Sequence, residues 1–248
     1  MHIKSQPIKT RLKRYLLSSI GVDWLIETQL LLLTFSTGMQ DAISFPDFHC
    51  FASNQTGNSV ILAVGLAGQG GDLFDIKNVG VSLAVFVSGA LVTGQIARIV
   101  GPRLRVWLFV THLMQTVMGF GAAILQATYG PNESGPSALG AISLLAFSSS
   151  AQVASMRPFR IQEITTAMAT AAWVDLVIDP KLLAMNNHPR DRRALFLGIL
   201  IAGSFAGAFA HRRIGSSNTL IIAAAIKLLV TVSLLANRSI SDGQESQD

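Results

Sequence analysis

The 248-residue chain predicts an all-α polytopic membrane protein with six spanning helices, two short re-entrant helices and an inverted internal repeat. Three observations carry that expectation. Half of the residues are hydrophobic, only 13% are charged and the mean hydropathy is +0.47, whereas soluble domains carry roughly 25% charged residues. Apolar runs of 17–22 residues follow one another across short polar gaps, which is the pattern of repeated bilayer spans. The basic residues also fall unevenly among those gaps, as they do in oriented membrane proteins.

The first 23 residues are polar and basic, with Lys4, Lys9, Arg11, Lys13 and Arg14. They lack an apolar core ending in small residues, so no cleavable signal is expected. They read as a cytoplasmic tail in which residues 11–17 form a short basic helix on the membrane surface. A single transmembrane domain follows over residues 24–238, with repeat A at about 24–128 and repeat B at about 137–236.

Within repeat A, residues 24–44 span, with Trp24 at the interface, and residues 45–51 form an aromatic loop. The next apolar run, 56–68, has 13 residues and reaches only about 20 Å as a helix, short of a hydrocarbon core of about 30 Å. It is therefore predicted to re-enter. Residues 79–97 and 106–127 span, and the Gly- and Pro-rich stretch 129–136 turns.

Repeat B begins with the small-residue helix 137–156. Residues 165–178 are again short and carry Asp175; Pro180 closes the segment because it cannot continue the ladder. Residues 181–193 are polar and basic, 194–210 and 219–236 span, and 239–248 form a polar tail expected to be disordered.

The order long, short, long, long thus occurs twice. Gln40 in Gly38-Met39-Gln40-Asp41-Ala42 is echoed by Gln152 at a separation of 112 residues, and Gly89 by Gly203 at 114. Such spacing marks a duplication, and one short segment per half points to transporter-like inverted repeats. Charge fixes the orientation. With re-entrant short segments, fifteen Lys and Arg face the cytoplasm and three the outside. With spanning ones the split is eleven to seven. The positive-inside rule favours six spans and both termini in the cytoplasm; it leaves open which membrane holds them. An odd number of spans per half then makes the halves inverted.

Candidate site residues are those whose polarity is unusual at their depth. Asp41 near the outer end of the first span could bind a cation or proton, or simply be a helix-end carboxylate in water or hydrogen-bonded to the next loop. Gln40 and Gln152 each offer two donors and an acceptor, suited either to a polar ligand or to fastening helices. Thr56, Gly57 and Asn58 open the first short helix, and Thr165 and Thr166 the second. Unpaired N–H groups at such ends would face anionic or polar substrate groups, at a polar site where the two short helices meet near the midplane. Lys227 lies near the centre of the last span, where it could snorkel partway to the surface or pair with an acid such as Asp41 or Glu27, and pairing inside the bundle is favoured.

His49 and Cys50 lack partners at metal-ligand spacing, and no phosphate loop or catalytic triad can be placed. No metal, cofactor, nucleic-acid partner or enzymatic activity is therefore expected. The partners are the bilayer and a small polar solute or ion, and an oligomer is left open.

The 38–42 motif, Gln55-Thr56-Gly57-Asn58 and the long–short–long order resemble the YoaK family of uncharacterised multi-pass membrane proteins, grouped as a domain of unknown function. The resemblance covers roughly residues 30–237. It implies an integral membrane protein and supplies no activity. Many members carry Asn where this chain has Asp41, so a role for that charge does not follow from it. The expected function is a small secondary transporter or channel; the alternative is a membrane scaffold or accessory subunit.

Overall fold

The computed structural model describes residues 8–69 and 71–240; the outermost parts of the two predicted tails, 1–7 and 241–248, lie outside the described residues. Among the described residues nine α-helices follow in order: α1 (Ile8–Leu16), α2 (Trp24–Phe48), α3 (Gln55–Leu66), α4 (Ile76–Val100), α5 (Arg105–Tyr129), α6 (Pro136–Met156), α7 (Thr170–Val177), α8 (His188–Ile214) and α9 (Ser216–Ser233). Local chemistry sets their ends. The side chains of Asp23, Asn54, Asp75 and Asn187 accept the otherwise unpaired N–H groups of Ile26, Gly57, Asn78 and Arg190. Gly101 and Gly215, both at positive φ, stop α4 and α8.

Five helices, α4, α5, α6, α8 and α9, are long and apolar enough to cross a membrane. Large apolar side chains such as Val87, Leu91, Val117, Phe205, Phe209 and Leu229 point outward from four of them, as a lipid-facing surface requires. The sixth expected span, α2, is 25 residues long but falls short in apolarity. Its polar side chains Thr34, Ser36, Thr37, Gln40, Ser44 and Asp47 are buried inside the bundle instead. It packs on α8, α9 and α6, while α4 packs on α6, and α5 packs on both α6 and α9.

Three expectations need correction. Residues 165–178 do not form one short helix: α7 begins only at Thr170. The Thr165 hydroxyl donates to Met168 O and accepts from Met168 N, and Thr166 has φ 63°, so this segment turns where a helix was expected. Second, α3 packs on α4 and α7 on α8; the two short helices do not meet. α3 lies at the end of the bundle where α2 finishes, tied to it through Asn58 and Phe51. α7 lies at the opposite end, where α8 begins and Arg192 pairs with Glu27 near the start of α2. Third, the chain end expected to be disordered is held at its beginning: Ile240 N donates to Ser19 O at 2.9 Å.

That last contact belongs to a tie among both chain ends and the α4–α5 turn. Ile20 N donates to Arg103 O and Gly21 N to Arg238 O. At its centre the fully buried Arg105 donates to Leu234 O, Asn237 O and Ser239 Oγ at 2.9–3.0 Å and stacks on Tyr15 at 4.2 Å. A cation on carbonyls at the C-terminal end of α9 suits the negative end of that helix.

Two apolar cores fill the bundle. One contains Ile26, Leu30, Leu33, Leu108, Phe196 and Val230; the other contains Ile43, Val79, Ala122, Ile142, Leu145 and Leu220. Between them, at mid-length of α2, α5, α6 and α9, lies a belt of buried polar side chains.

Candidate functional site

Ten residues build the belt: Ser36, Thr37 and Gln40 on α2; His112, Gln115 and Thr116 on α5; Ser148, Ser149 and Gln152 on α6; and Lys227 on α9. Helical periodicity puts them on inward faces, since 112, 115 and 116, or 148, 149 and 152, are one turn apart. Lys227 Nζ donates to Ser148 Oγ at 2.9 Å, and Ser148 donates onward to Gln115 O at 3.2 Å. Gln40 Nε2 donates to Ser149 Oγ at 2.7 Å, and Gln152 Nε2 to Thr37 Oγ1 at 2.9 Å. Thr116 meets Thr231 at 3.1 Å across α5 and α9.

The belt is incompletely satisfied. His112 Nε2, both polar atoms of the Gln115 amide and Gln152 Oε1 are buried without a hydrogen-bond partner. Lys227 has three donors, and Ser148 takes one of them. Among the described residues no carboxylate stands within 4.0 Å of it. Buried polar atoms are hydrogen-bonded in the large majority of cases, and unpartnered ones concentrate where a ligand or ordered water belongs.

The structure therefore separates the predicted site residues. Gln40 and Gln152 join the belt with Lys227. Lys227 bonds to a serine rather than to an acid, which corrects the expected ion pair: Glu27 is taken by Arg192. Asp41 is occupied elsewhere, accepting from Ala52 N at 3.1 Å, Ser53 N at 2.9 Å and Ser53 Oγ. Its other side borders a lateral crevice of about 590 Å³ lined by Phe45, Phe51, Leu200 and Phe205.

Asn58 is buried in a knot with the Phe51 backbone, Gln55 and Ser82, and a Cβ on Gly57 would stand 3.2 Å from the Phe51 ring. Thr56 is exposed beside them. Thr165 and Thr166 sit in the turn before α7, at the other end. His112, Gln115 and Ser148 had no claim on attention in the sequence beyond being polar within apolar runs, which is the signal that would have found them.

A second buried cluster closes the end of the bundle near α3. Asp47 accepts from His211 Nε2 at 2.7 Å, from Gln126 Nε2 at 3.1 Å and from Ser216 Oγ. The carboxylate lies between the serine and the histidine, so the imidazole does not contact the hydroxyl as a catalytic base would. Among the described residues no three His, Cys, Asp or Glu side chains converge as metal ligands. Burial pushes the Cys50 thiol up, away from the reactive thiolate.

Fold and belt together define a multi-pass α-helical membrane protein with a polar layer enclosed between two apolar cores. A family model described as "Protein of unknown function (DUF1275)" matches residues 29–233, and the chain belongs to that family. No curated protein and no solved structure matches it.

Proposed function

We propose that this protein is a small secondary transporter or channel whose solute passes through the central belt. One observation carries this: a buried lysine without a carboxylate partner, in the same polar belt as the unpartnered atoms of His112, Gln115 and Gln152. Helix fastening alone leaves such atoms unexplained, because burying them without partners costs about 1–3 kcal/mol each.

The arrangement of the two halves supports the same conclusion. Gln40→Ser149 and Gln152→Thr37 are images of each other under the 112-residue offset. The contact of Gly203 with Phe35 recurs 114 and 112 residues away as that of Gly89 with Phe147. Packing of α2 on α8 has its counterpart in α6 on α4, and α2 on α9 in α6 on α5. In the two glutamine bonds one residue number rises as the other falls, so α2 and α6 cross antiparallel. A two-fold axis relating them then lies across the helices, as in an inverted repeat with α2 as the sixth span.

The end that carries α1, the α4–α5 turn and residues 157–193 holds most of the Lys and Arg, and is cytoplasmic in this scheme.

Reconstitution tests the proposal. Purified protein in liposomes should carry a polar solute across the membrane, and Lys227→Met should abolish that flux while preserving the fold. Absence of flux across a broad panel of solutes, with cell phenotypes insensitive to Lys227→Met and Gln152→Ala, would favour the scaffold role. A glycosylation acceptor inserted between Arg98 and Arg105 should stay unmodified; modification there overturns the orientation.

A further inference from the structure

We propose that the belt binds a small oxyanion of single negative charge that also carries its own O–H or N–H, such as a hydroxycarboxylate or bicarbonate. This rests on the belt being the place where the solute is held. The hydrogen-bond inventory leads to it by elimination. Lys227 is 2% exposed and its one neighbour, Ser148, has already given its proton to Gln115 O. Two ammonium donors are left facing the interior, and a buried cation of this kind calls for a counter-charge. Asp41, whose charge Lys227 feels, turns its oxygens to Ala52 N, Ser53 N and Ser53 Oγ and makes no ion pair with it within 4.0 Å among the described residues, so a counter-charge in direct contact has to be brought by a ligand.

The remaining open atoms include acceptors. His112 Nδ1 lies 2.9 Å from Leu108 O, which can only accept, so Nδ1 holds the proton. The neutral ring then presents the lone pair of Nε2, which has no partner. Gln152 spends its Nε2 on Thr37, leaving Oε1 as a second open acceptor, and Gln115 contributes one free donor group and one free acceptor.

Each simpler ligand fails one half of this set. A cation is repelled by Lys227. Chloride or a plain carboxylate satisfies Lys227 but brings no donor to His112 and Gln152. A neutral polyol supplies donors without the charge. An oxyanion with its own hydroxyl or N–H satisfies both halves.

The experiment uses the full-length protein in nanodiscs for thermal shift and in phosphatidylcholine liposomes for flux, with glycolate, bicarbonate, acetate, chloride and glycerol as probes. Glycolate or bicarbonate should raise the melting temperature by several degrees and cross the membrane. Acetate and chloride should need at least tenfold higher concentrations. Lys227→Met should remove the shift for all anions. Gln152→Leu, and His112→Phe as a second variant should the first not fold, each remove an acceptor and should erase the preference for glycolate over acetate. Which of glycolate and bicarbonate is stronger separates an organic from an inorganic source.

Equal responses to glycolate and acetate, or shifts that survive Lys227→Met, overturn the proposal. Flux of glycerol or of a cation without any oxyanion response also overturns it and leaves the transport role standing. Glycolate binding without flux upholds the ligand class and removes transport. Neither binding nor flux removes both.

Discussion

Gln40 Nε2 donates to Ser149 Oγ at 2.7 Å, and 112 residues further on Gln152 Nε2 donates to Thr37 Oγ1 at 2.9 Å. These reciprocal bonds lie where α2 and α6 cross between the two apolar cores. They fasten α2 to α6 within the buried polar belt that also holds Lys227, His112 and Gln115.

Replacing Gln40 or Gln152 should therefore have unequal effects. Gln40→Leu leaves the Ser149 hydroxyl and Leu145 O without the amide donor. It should destabilise by about 1–3 kcal/mol. Gln152→Leu removes one bond but also an unpartnered acceptor, so its loss should be smaller. Thermal unfolding in detergent checks the order.

Lys227→Met should stabilise the protein even as it removes function. A buried charge with incomplete partners exchanged for an apolar side chain of similar length is expected to gain about 1–4 kcal/mol. A higher melting temperature together with lost ligand response is the predicted pair of results. A large drop in melting temperature would instead make Lys227 a structural residue.

The α2–α8 seam should not tolerate even a methyl group. A Cβ on Gly203 would lie 2.3 Å from Phe35 O, and one on Gly207 2.6 Å from Met39 Cα. Backbone cannot yield as a flexible side chain can, and overpacking of this kind costs about 1–3 kcal/mol or more. Gly203→Ala should lower the melting temperature markedly. Gly94→Ala, where nothing stands within 4 Å, should leave it unchanged or raise it slightly by helix propensity.

Asp47→Ala should loosen the end of the bundle near α3. It strips His211, Gln126 and Ser216 of a shared acceptor. The expected cost is about 1–3 kcal/mol, as for buried donors left without an acceptor. Hydrogen exchange should rise at the end of α2 and the start of α9, while the tie around Arg105 at the opposite end stays protected.

Arg105→Lys should release the chain ends. An ammonium cannot reach Leu234 O, Asn237 O and Ser239 Oγ together, nor stack on Tyr15 as the planar guanidinium does. Limited proteolysis should then cleave near residues 17–22 or 237–240 first, with the bundle intact.

The chain by itself determined that apolar segments stand at 79–97, 106–127, 137–156, 194–210 and 219–236, because length and apolarity against a bilayer are properties of each segment alone. The paired glutamines and the glycine spacing were legible in the same way, as identities at a fixed offset. Only the tertiary structure decided what those residues touch. Which face of α5 meets α9, and so whether His112 and Gln115 join Lys227, depends on helix crossings that no single segment encodes. The same holds for Asp41, which sits next to Gln40 in sequence yet turns to the 52–53 loop. It holds too for the short apolar segments 56–68 and 165–178, which are alike in length but lie at opposite ends of the bundle. Neighbouring residues on a helix point in different directions, and packing chooses which direction is the interior.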